Sequence, residues 1–342
     1  VLTSPASAAY KQEYKLSVVP GAASGWGQVG TYFAERVKEL TEGRVNIKVY
    51  HGAQLMAGKQ TSEMLLVRRG AIDFALASTI NWSPQIKELN LTALPFFVAH
   101  NPDRFKAIDA ITGGKSGKMM AAAIEKTQVK FLGWSENGFR ELTTSKGPIN
   151  SVADMKGMKL RVCGTPIFAD IFKALGTNPQ AINWSEAVTG FQQGIVDGQE
   201  NPTAGINVPT KVWTWHKHST EWHYMIDPLF ITANQKVWKD FSKADQDAIM
   251  KAAKDAELYG KAMSRINQDG GWALGYLKSI NKVPAVVDPI AEEKKNGMQV
   301  VMFNAAQIEE FYKATADVRA KWTKEIGPEL VKAAEEDMKA AR

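Results

Sequence analysis

Two arginines stand in sequence surroundings where a charge would ordinarily be avoided. Arg161 interrupts the apolar segment MKLRVCG, and Arg140 follows a Gly-Phe turn in ENGFRELTTS. An arginine in an apolar strand is unfavourable unless its N–H donors are satisfied, and an oxyanion such as a carboxylate accepts two of them at once. The pattern predicts an anion site, and a structural ion pair with Asp or Glu is the alternative for each arginine.

Two polar clusters follow short apolar segments, at the points where strands would leave their sheets. One cluster is Gln-Glu-Asn at 199–201, and the other is Ser-Thr-Ile-Asn-Trp at 78–82. In open parallel sheets, ligands bind beyond the carboxyl ends of the strands, where loops diverge and backbone groups are free. We therefore expect both clusters to line one cleft if the two parts of the chain face each other.

Apolar spacing predicts two similar units in which strands and helices alternate. In the first unit, the strands KLSVV, RVNIKVY and AIDFALAS are separated by helices at GWGQVGTYFAERVKELTEG and SEMLLVRRG. In the second, the strands MKLRVCG, NPQAIN and IVDGQEN are separated by helices at TPIFADIFKALG and SEAVTGFQQG. The order β-α-β-α-β favours parallel sheets with right-handed crossovers. Two α/β lobes are thus predicted.

The remaining chain is predicted to make the lobes discontinuous. Residues 220–241 have the pattern of extended chain that could cross between lobes, and Ser242 is a candidate N-cap of a long helix interrupted near Gly270-Gly271. We expect a first lobe of 1–133 plus about 225–255. The second lobe is expected to comprise 134–224 with much of 256–342.

Composition excludes several classes of protein. The 342 residues are 44% hydrophobic, enough for a sizeable core, and they contain no apolar run of about 18 residues or more that could span a bilayer. The 42 Lys and Arg residues are scattered among 36 Asp and Glu residues, so no nucleic-acid partner is expected. Cys163 is the only cysteine, which rules out an intrachain disulfide and a thiol-rich metal site. Small residues ending in Ala6-Ser7-Ala8 resemble the tail of a secretory signal, which favours export.

Catalytic and metal motifs are incomplete. The segment TGGKSG at 112–117 ends like a phosphate-binding loop, but Asp109 occupies the position that requires glycine. His216, His218 and His223 are close in sequence, and the first two would share a face of a strand, yet no cysteine or spaced carboxylate-histidine set completes a site. No catalytic residue, metal or cofactor is expected.

The order and spacing of these motifs resemble a known family. ENGFRELTTSKGPINSVADMKGMKLRVCGTPIFADIFKALGTNPQAINWSEAVTGFQQGIVDGQENP is similar to the central region of DctP-type substrate-binding proteins of tripartite ATP-independent periplasmic (TRAP) transporters. The most specific elements are the Gly-Phe-Arg turn, the D-x-KG-x-KLRV approach to Arg161, and G-x-VDGQENP. The resemblance extends over most of the chain, from YKLSVVPG to the helical C-terminal part.

The resemblance implies an α/β, two-lobe periplasmic binding protein (type II-like) with hinge-spanning strands and a long helix, closing on an organic acid. The family's carboxylate-binding arginine matches Arg161, its frequent second arginine matches Arg140, and its polar Asn matches Asn201. Trp184 falls where an aromatic residue often packs on the ligand. The full set of candidate ligand-binding residues is Arg161, Arg140, Asn201, Trp184, Glu200, Ser78, Thr79, Asn81, Trp82, Trp26, Glu136 and Asn137.

The predicted function is that of an extracytoplasmic, periplasmic solute-binding protein, expected as a monomer. It would capture a small organic acid anion, a carboxylate or a sulfonate, and deliver it to the membrane subunits of a TRAP transporter. We favour a monoacid with a polar or aromatic body. The alternatives are an α/β enzyme that acts on an anionic substrate through the same arginines, and a soluble sensor module.

Overall fold

The computed structural model describes residues 10–99 and 101–341, so the Ala6-Ser7-Ala8 signal lies outside the described residues. The strands are β1 Tyr14–Ser17, β2 Ile47–Tyr50, β3 Phe74–Ser78, β4 Val129–Thr144, β5 Lys159–Val162, β6 Asn178–Ala181, β7 Gly198–Pro202, β8 His218–Glu221, β9 Ile226–Asn234 and β10 Gln299–Met302. The helices are α1 Gly25–Leu40, α2 Glu63–Arg68, α3 Thr79–Trp82, α4 Arg104–Gly113, α5 Lys115–Glu125, α6 Pro166–Ala174, α7 Trp184–Gln192, α8 Gln235–Asp240, α9 Lys243–Arg265, α10 Trp272–Ser279, α11 Pro289–Lys295, α12 Ala305–Ala314, α13 Ala316–Ile326 and α14 Pro328–Ala340.

Local capping explains where the main helices begin. The Ser24 hydroxyl accepts a hydrogen bond from the Gly27 N–H at the start of α1, and the Ser242 hydroxyl accepts one from the Asp245 N–H at the start of α9. Pro166 opens α6, where its missing N–H would have had no helical partner. The Ser242 N-cap predicted from the sequence is therefore confirmed.

The sheet is built from two parallel parts joined by antiparallel strands. In the first part, β2, β1 and β3 are parallel, and β9 pairs antiparallel with β3. In the second part, β7, β5 and β6 are parallel, and β7 pairs antiparallel with β4. Each parallel part has the predicted β-α-β-α-β order, so the two-lobe α/β architecture is confirmed.

Strand β4 passes through both parts of the sheet. Its first part pairs with β9, and its last residues pair with β7 and β8. The register of β4 against β9 shifts at two bulges, one between Phe131 and Gly133 and one between Glu136 and Gly138. Gly138 adopts φ +117°, a conformation that side-chain-bearing residues rarely accept. Both irregularities lie in the part of β4 that pairs with β9.

The long helix α9 packs against β4 and α1, and its last turn is tied to β4. Ser264 and Arg265 both donate to the Glu136 carboxylate, and Arg265 also pairs with Asp109 of α4.

Among residues 10–99 and 101–341, no helix combines the length and apolarity that crossing a bilayer requires.

Two local expectations differ from the structure. The segment predicted to be extended to residue 241 turns helical at Gln235, because the Asn234 side chain accepts from the backbone N–H groups of Lys236 and Val237 and so caps α8. His216 precedes β8 rather than sharing a strand face with His218. Its Nδ1 lies 2.9 Å from the Thr143 hydroxyl, and burial lowers the pKa of the imidazole to about 3.

Candidate functional site

A buried cavity of about 30 Å³ lies between the lobes, beside the crossing strands β4 and β9. It is closed on one side by residues that follow β1, by the end of β3 and by the N-termini of α1 and α3, and on the other by residues at the ends of β5 and β7 and by the start of α7. The lining residues are Val19, Pro20, Trp26, Gln60, Ser78, Ile80, Asn81, Asn137, Arg140, Arg161, Cys163, Trp184, Asn201, Ile206 and Asp227. The polar clusters predicted to share a cleft therefore both contribute to one cavity.

The Arg161 guanidinium has N–H donors that are available to a ligand. It is 1% exposed, and its Nε donates to the Ile182 carbonyl at 2.9 Å. Its Nη2 has no hydrogen-bond partner, and within the described ranges Arg161 forms no ion pair with a carboxylate. The guanidinium carbon lies 5.5 Å from the centre of the Trp184 ring, which gives it a cation–π contact. A buried cation with an unpartnered donor is a strong attractor for an anion.

Arg140 is largely satisfied by protein acceptors. Its Nε and Nη2 bond the Glu200 carboxylate, Nη2 also donates to the Glu200 carbonyl at 2.7 Å, and Nη1 lies 3.4 Å from Asp227. Burial by itself would lower the pKa of this guanidinium, but the neighbouring Glu200 charge raises it well above its usual value. Arg140 is thus fixed as a cation whose charge two carboxylates already balance.

Asp227 ties the crossing strands to the first lobe. Its two oxygens accept from Ser78 Oγ at 2.7 Å and from Asn137 Nδ2 at 2.9 Å. Burial raises the pKa of this carboxyl, and the positive charge of Arg140 opposes the shift. Because its Nδ2 is used by Asp227, Asn137 presents Oδ1 as an acceptor, and that buried oxygen has no partner.

Gln60 links the two lobes across the cavity. Its Nε2 donates to Asn81 Oδ1 at 2.7 Å, and its Oε1 accepts from the Trp184 backbone N–H at 2.7 Å. Asn201, on the second lobe, donates from Nδ2 to the Gln199 side chain. The amides of Gln60, Asn81 and Asn201 therefore surround the cavity with donors and acceptors.

Eight of the twelve candidate residues line the cavity, and four lie outside it. Glu200 lies behind Arg140 and also accepts from the Tyr224 hydroxyl at 2.7 Å. Glu136 is bonded to Arg265, while the Trp82 indole N–H donates to Glu63 at 3.0 Å. The Thr79 hydroxyl pairs with Thr92 at 3.3 Å. Glu200 thus supports a lining residue directly, whereas the partners of the other three lie outside the lining.

The sequence did not single out several lining residues, of which Gln60 and Asp227 matter most. Asp227 could have been recognised from the sequence, because it is a charged residue inside the apolar segment MIDPLF, as Arg161 is in MKLRVCG. Gln60 could not have been recognised in this way, because it lies in a short helical turn with no periodic pattern of apolar residues. His216 and His218 do not join His223 in a cluster of metal ligands within the part of the chain that the structure describes.

The fold and the cavity define a two-lobe solute-binding protein. The sequence profile of bacterial extracellular solute-binding proteins of family 7 (DctP) matches residues 16–270. A solute-binding protein of Roseobacter denitrificans is 31% identical over 297 residues, covering 83% of this chain and 85% of that protein. The chain therefore belongs to the DctP family of solute-binding proteins.

Solved structures of TRAP periplasmic solute-binding proteins are similar over nearly the whole chain. One from Ralstonia eutropha, with bound (S)-2-acetolactate, is 42% identical, has a TM-score of 0.87, and covers 97% of this chain and 100% of its own. The sugar acid binding protein DctPAm of Advenella mimigardefordensis, in complex with galactonate, is 26% identical with a TM-score of 0.83. It covers 97% of this chain and 99% of its own.

Proposed function

We propose that the protein binds a small hydroxy monocarboxylate in the inter-lobe cavity, in the periplasm, and delivers it to TRAP membrane subunits. The observation that carries the proposal is Arg161, a buried arginine with an unpartnered Nη2 and no ion pair within residues 10–99 and 101–341. A ligand carboxylate would accept from the free edge of this guanidinium.

A hydroxyl group on the ligand is supported by Asn137. Its Oδ1 is a buried acceptor without a partner, and Asp227 fixes the orientation of the amide by accepting from Nδ2. A buried acceptor left unpaired costs about 1–3 kcal/mol, and a ligand hydroxyl would remove that penalty. A carboxylate next to Arg161 and a hydroxyl next to Asn137 together describe a hydroxy acid.

The charges around the cavity favour a monoacid over a dicarboxylate. Arg140 and Arg161 supply two positive charges, and Glu200 and Asp227 supply two negative charges when ionised. Only Arg161 lacks a carboxylate partner, so a second ligand carboxylate would meet no free cation in the lining.

The size of the cavity favours a compact molecule. In the closed arrangement it measures about 30 Å³, room for about two water molecules, so a long sugar acid would require the lobes to part further. Acetolactate, the compound bound to the Ralstonia protein, is a short hydroxy acid with one carboxylate. It therefore meets the criteria of charge and hydroxyl, and it is shorter than galactonate, although it too requires the cavity to widen.

A matched pair of acids tests the proposal. Calorimetry with 2-hydroxyisobutyrate and with pivalate compares a hydroxyl with a methyl group on otherwise identical acids, and succinate tests the monoacid preference. We expect the hydroxy acid to bind at least about 10-fold more tightly than pivalate, because the buried Asn137 acceptor distinguishes them. Equal affinities for the pair, or tighter binding of succinate, would contradict the assignment.

We further propose that the protein is a monomer that releases its ligand unaltered. Mass spectrometry after prolonged incubation with the bound acid distinguishes a binding protein from the α/β enzyme alternative. Unchanged acid is expected, and a new product would establish catalysis. Light scattering of the eluted protein checks the monomer.

A further inference from the structure

A second cluster of buried titratable groups includes Glu141 of β4 and lies outside the lining of the ligand cavity. Atoms of Glu141, Glu221 and His223 that could bind a metal lie within 4.8 Å of one another. None of the three residues lines the inter-lobe cavity. Glu141 is 1% exposed and Glu221 is 2% exposed, so two carboxylates share one poorly solvated space.

A third carboxylate adjoins the cluster. Glu293 of α11 is fully buried, and neither of its oxygens has a hydrogen-bond partner among residues 10–99 and 101–341. It lies beside Ser219, whose hydroxyl donates to Glu221 Oε1 at 3.3 Å, and the Glu141 charge acts on it. The Ser219 hydroxyl is near enough to Glu293 to act on its pKa but donates to Glu221, so the Glu293 carboxylate adjoins two others without a hydrogen bond of its own from the described residues.

Protein cations do not balance this concentration of acids. Over residues 10–99 and 101–341, the only ion pair made by the three carboxylates joins Glu141 to His223 Nδ1. Arg104 is near enough to interact with the Glu141 charge but forms no ion pair with it. Burial raises the pKa of Glu221 well above its usual value, and the neighbouring charges of Glu141 and Glu293 add to the shift. Burial likewise raises the pKa of Glu293 to about 7.

We propose that Glu141, Glu221 and His223 bind a divalent transition-metal ion, with Glu293 completing the negative environment. Two carboxylates and one imidazole are a ligand set that suits Zn²⁺ and its first-row neighbours. The ion takes the place of protons that the crowded carboxyl groups otherwise retain, and it neutralises the carboxylates so formed. It also joins β4 to β8 and to the segment that follows β8, which are far apart in the sequence.

The ion has a route to the site. His223 lines an open cleft of about 850 Å³, together with Arg104, Phe139 and Met302. Its side chain is 14% exposed, while the carboxylates lie deeper. A hydrated ion can therefore meet the imidazole first and reach the carboxylates from the cleft.

Zinc binding to the whole chain tests this site without any organic acid. After treatment with EDTA and dialysis, titration with Zn²⁺ should give one equivalent bound and a rise in the unfolding midpoint. Glu221→Gln and His223→Asn should each weaken this binding by at least about 10- to 100-fold, since losing a group that merely supports a metal ligand already costs that much. Asn tolerates the left-handed backbone of His223, where φ is +52°.

Matched controls separate this site from general effects. Glu63→Gln removes a buried carboxylate elsewhere, and His51→Asn removes a histidine elsewhere; both should bind Zn²⁺ like the wild type. In the wild type, Co²⁺ should give visible ligand-field bands that Zn²⁺ abolishes, a readout that needs no variant to fold. Absence of these bands, absence of a stoichiometric zinc site, or undiminished binding in a folded Glu221→Gln protein would overturn the proposal.

Discussion

The two buried arginines of the cavity differ in how the protein compensates their charge. Arg140 bonds Glu200 and approaches Asp227, so its charge is balanced within the protein. Arg161 has a carbonyl and an aromatic ring as its neighbours and retains an unpartnered Nη2. The structural ion pair considered for both arginines is thus present at Arg140, whereas Arg161 keeps donors for a ligand.

Replacing Arg161 should therefore remove most of the affinity for an organic acid. In Arg161→Ala we expect a loss of about 2–5 kcal/mol, or roughly 30- to several-thousand-fold in Kd, by calorimetry with 2-hydroxyisobutyrate. Arg161→Lys should also bind poorly, because an ammonium group cannot donate two parallel bonds to a carboxylate.

Arg36→Lys is the matched control for this series. Arg36 pairs with Glu39 and Asp255 on the surface of α1 and α9, away from the cavity, so its replacement should leave the affinity unchanged. Wild-type affinity in a folded Arg161→Lys protein would contradict bidentate binding.

Asn201 should orient the ligand without supplying the main attraction. Asn201→Asp should bind more weakly than Asn201→Ala, because an added carboxylate would repel both the anion and the Gln199 side-chain oxygen that Asn201 now contacts. Calorimetry of the two variants at matched stability measures the difference. Equal losses would exclude direct contact with the anion.

At the scale of elements, the spacing of apolar residues predicted most of the helices and strands but not the hydrogen bonds and ion pairs between them. The strand with Arg161 and the helix after it follow from apolar spacing and from Pro166. The Arg140–Glu200 and Arg265–Glu136 pairs join residues 60 and 129 positions apart, so no local pattern could predict them. Glu200 and Glu136, both expected as ligand contacts, lie outside the cavity lining and bond Arg140 and Arg265 respectively.

Gln60 provides a test of the link between the lobes. Gln60→Ala removes one hydrogen bond across the cavity, from the Trp184 N–H, and one to Asn81 on the same side, so we expect about a 10-fold loss of affinity. Stopped-flow fluorescence should place most of the change in the dissociation rate. Gln85→Ala, which removes an exposed bond to the Thr61 carbonyl, is the control and should have no effect.

Glu63 of α2 connects β1 and α3 through hydrogen bonds, and its ionisation should make the stability of the fold depend on pH. Its carboxylate accepts from Ser17 and Trp82, and burial raises its pKa from 4.5 to about 7. Because the folded-state pKa is above the unfolded value, its contribution is complete below about pH 4.5 and is lost as the pH rises through 7.

Urea unfolding at pH 5 and pH 8 measures this contribution. Between these values the wild type should lose roughly 2–3 kcal/mol more of its free energy of unfolding than Glu63→Gln, which has no carboxyl to ionise. Identical pH dependence in the two proteins would show that Glu63 titrates normally.

At the scale of the whole molecule, the cavity exists only while the lobes are together. Its walls come from Gln60 and Asn81 on one side and from Arg161 and Trp184 on the other. The strands β4 and β9 connect these sides, and Gly138 marks a bulge in β4 where bending is least hindered. The lobe boundaries, 1–133 with 225–255 and 134–224 with much of 256–342, stay a prediction.

Small-angle scattering tests most directly whether the lobes close on an acid held by Arg161. The wild type should have a smaller radius of gyration with saturating 2-hydroxyisobutyrate than without it, with the same midpoint as calorimetric binding, because contacts to both lobes form together only in the closed state. Arg161→Ala should remain in the open state at the same acid concentration. Superimposable wild-type profiles with and without a tightly bound acid would contradict the account.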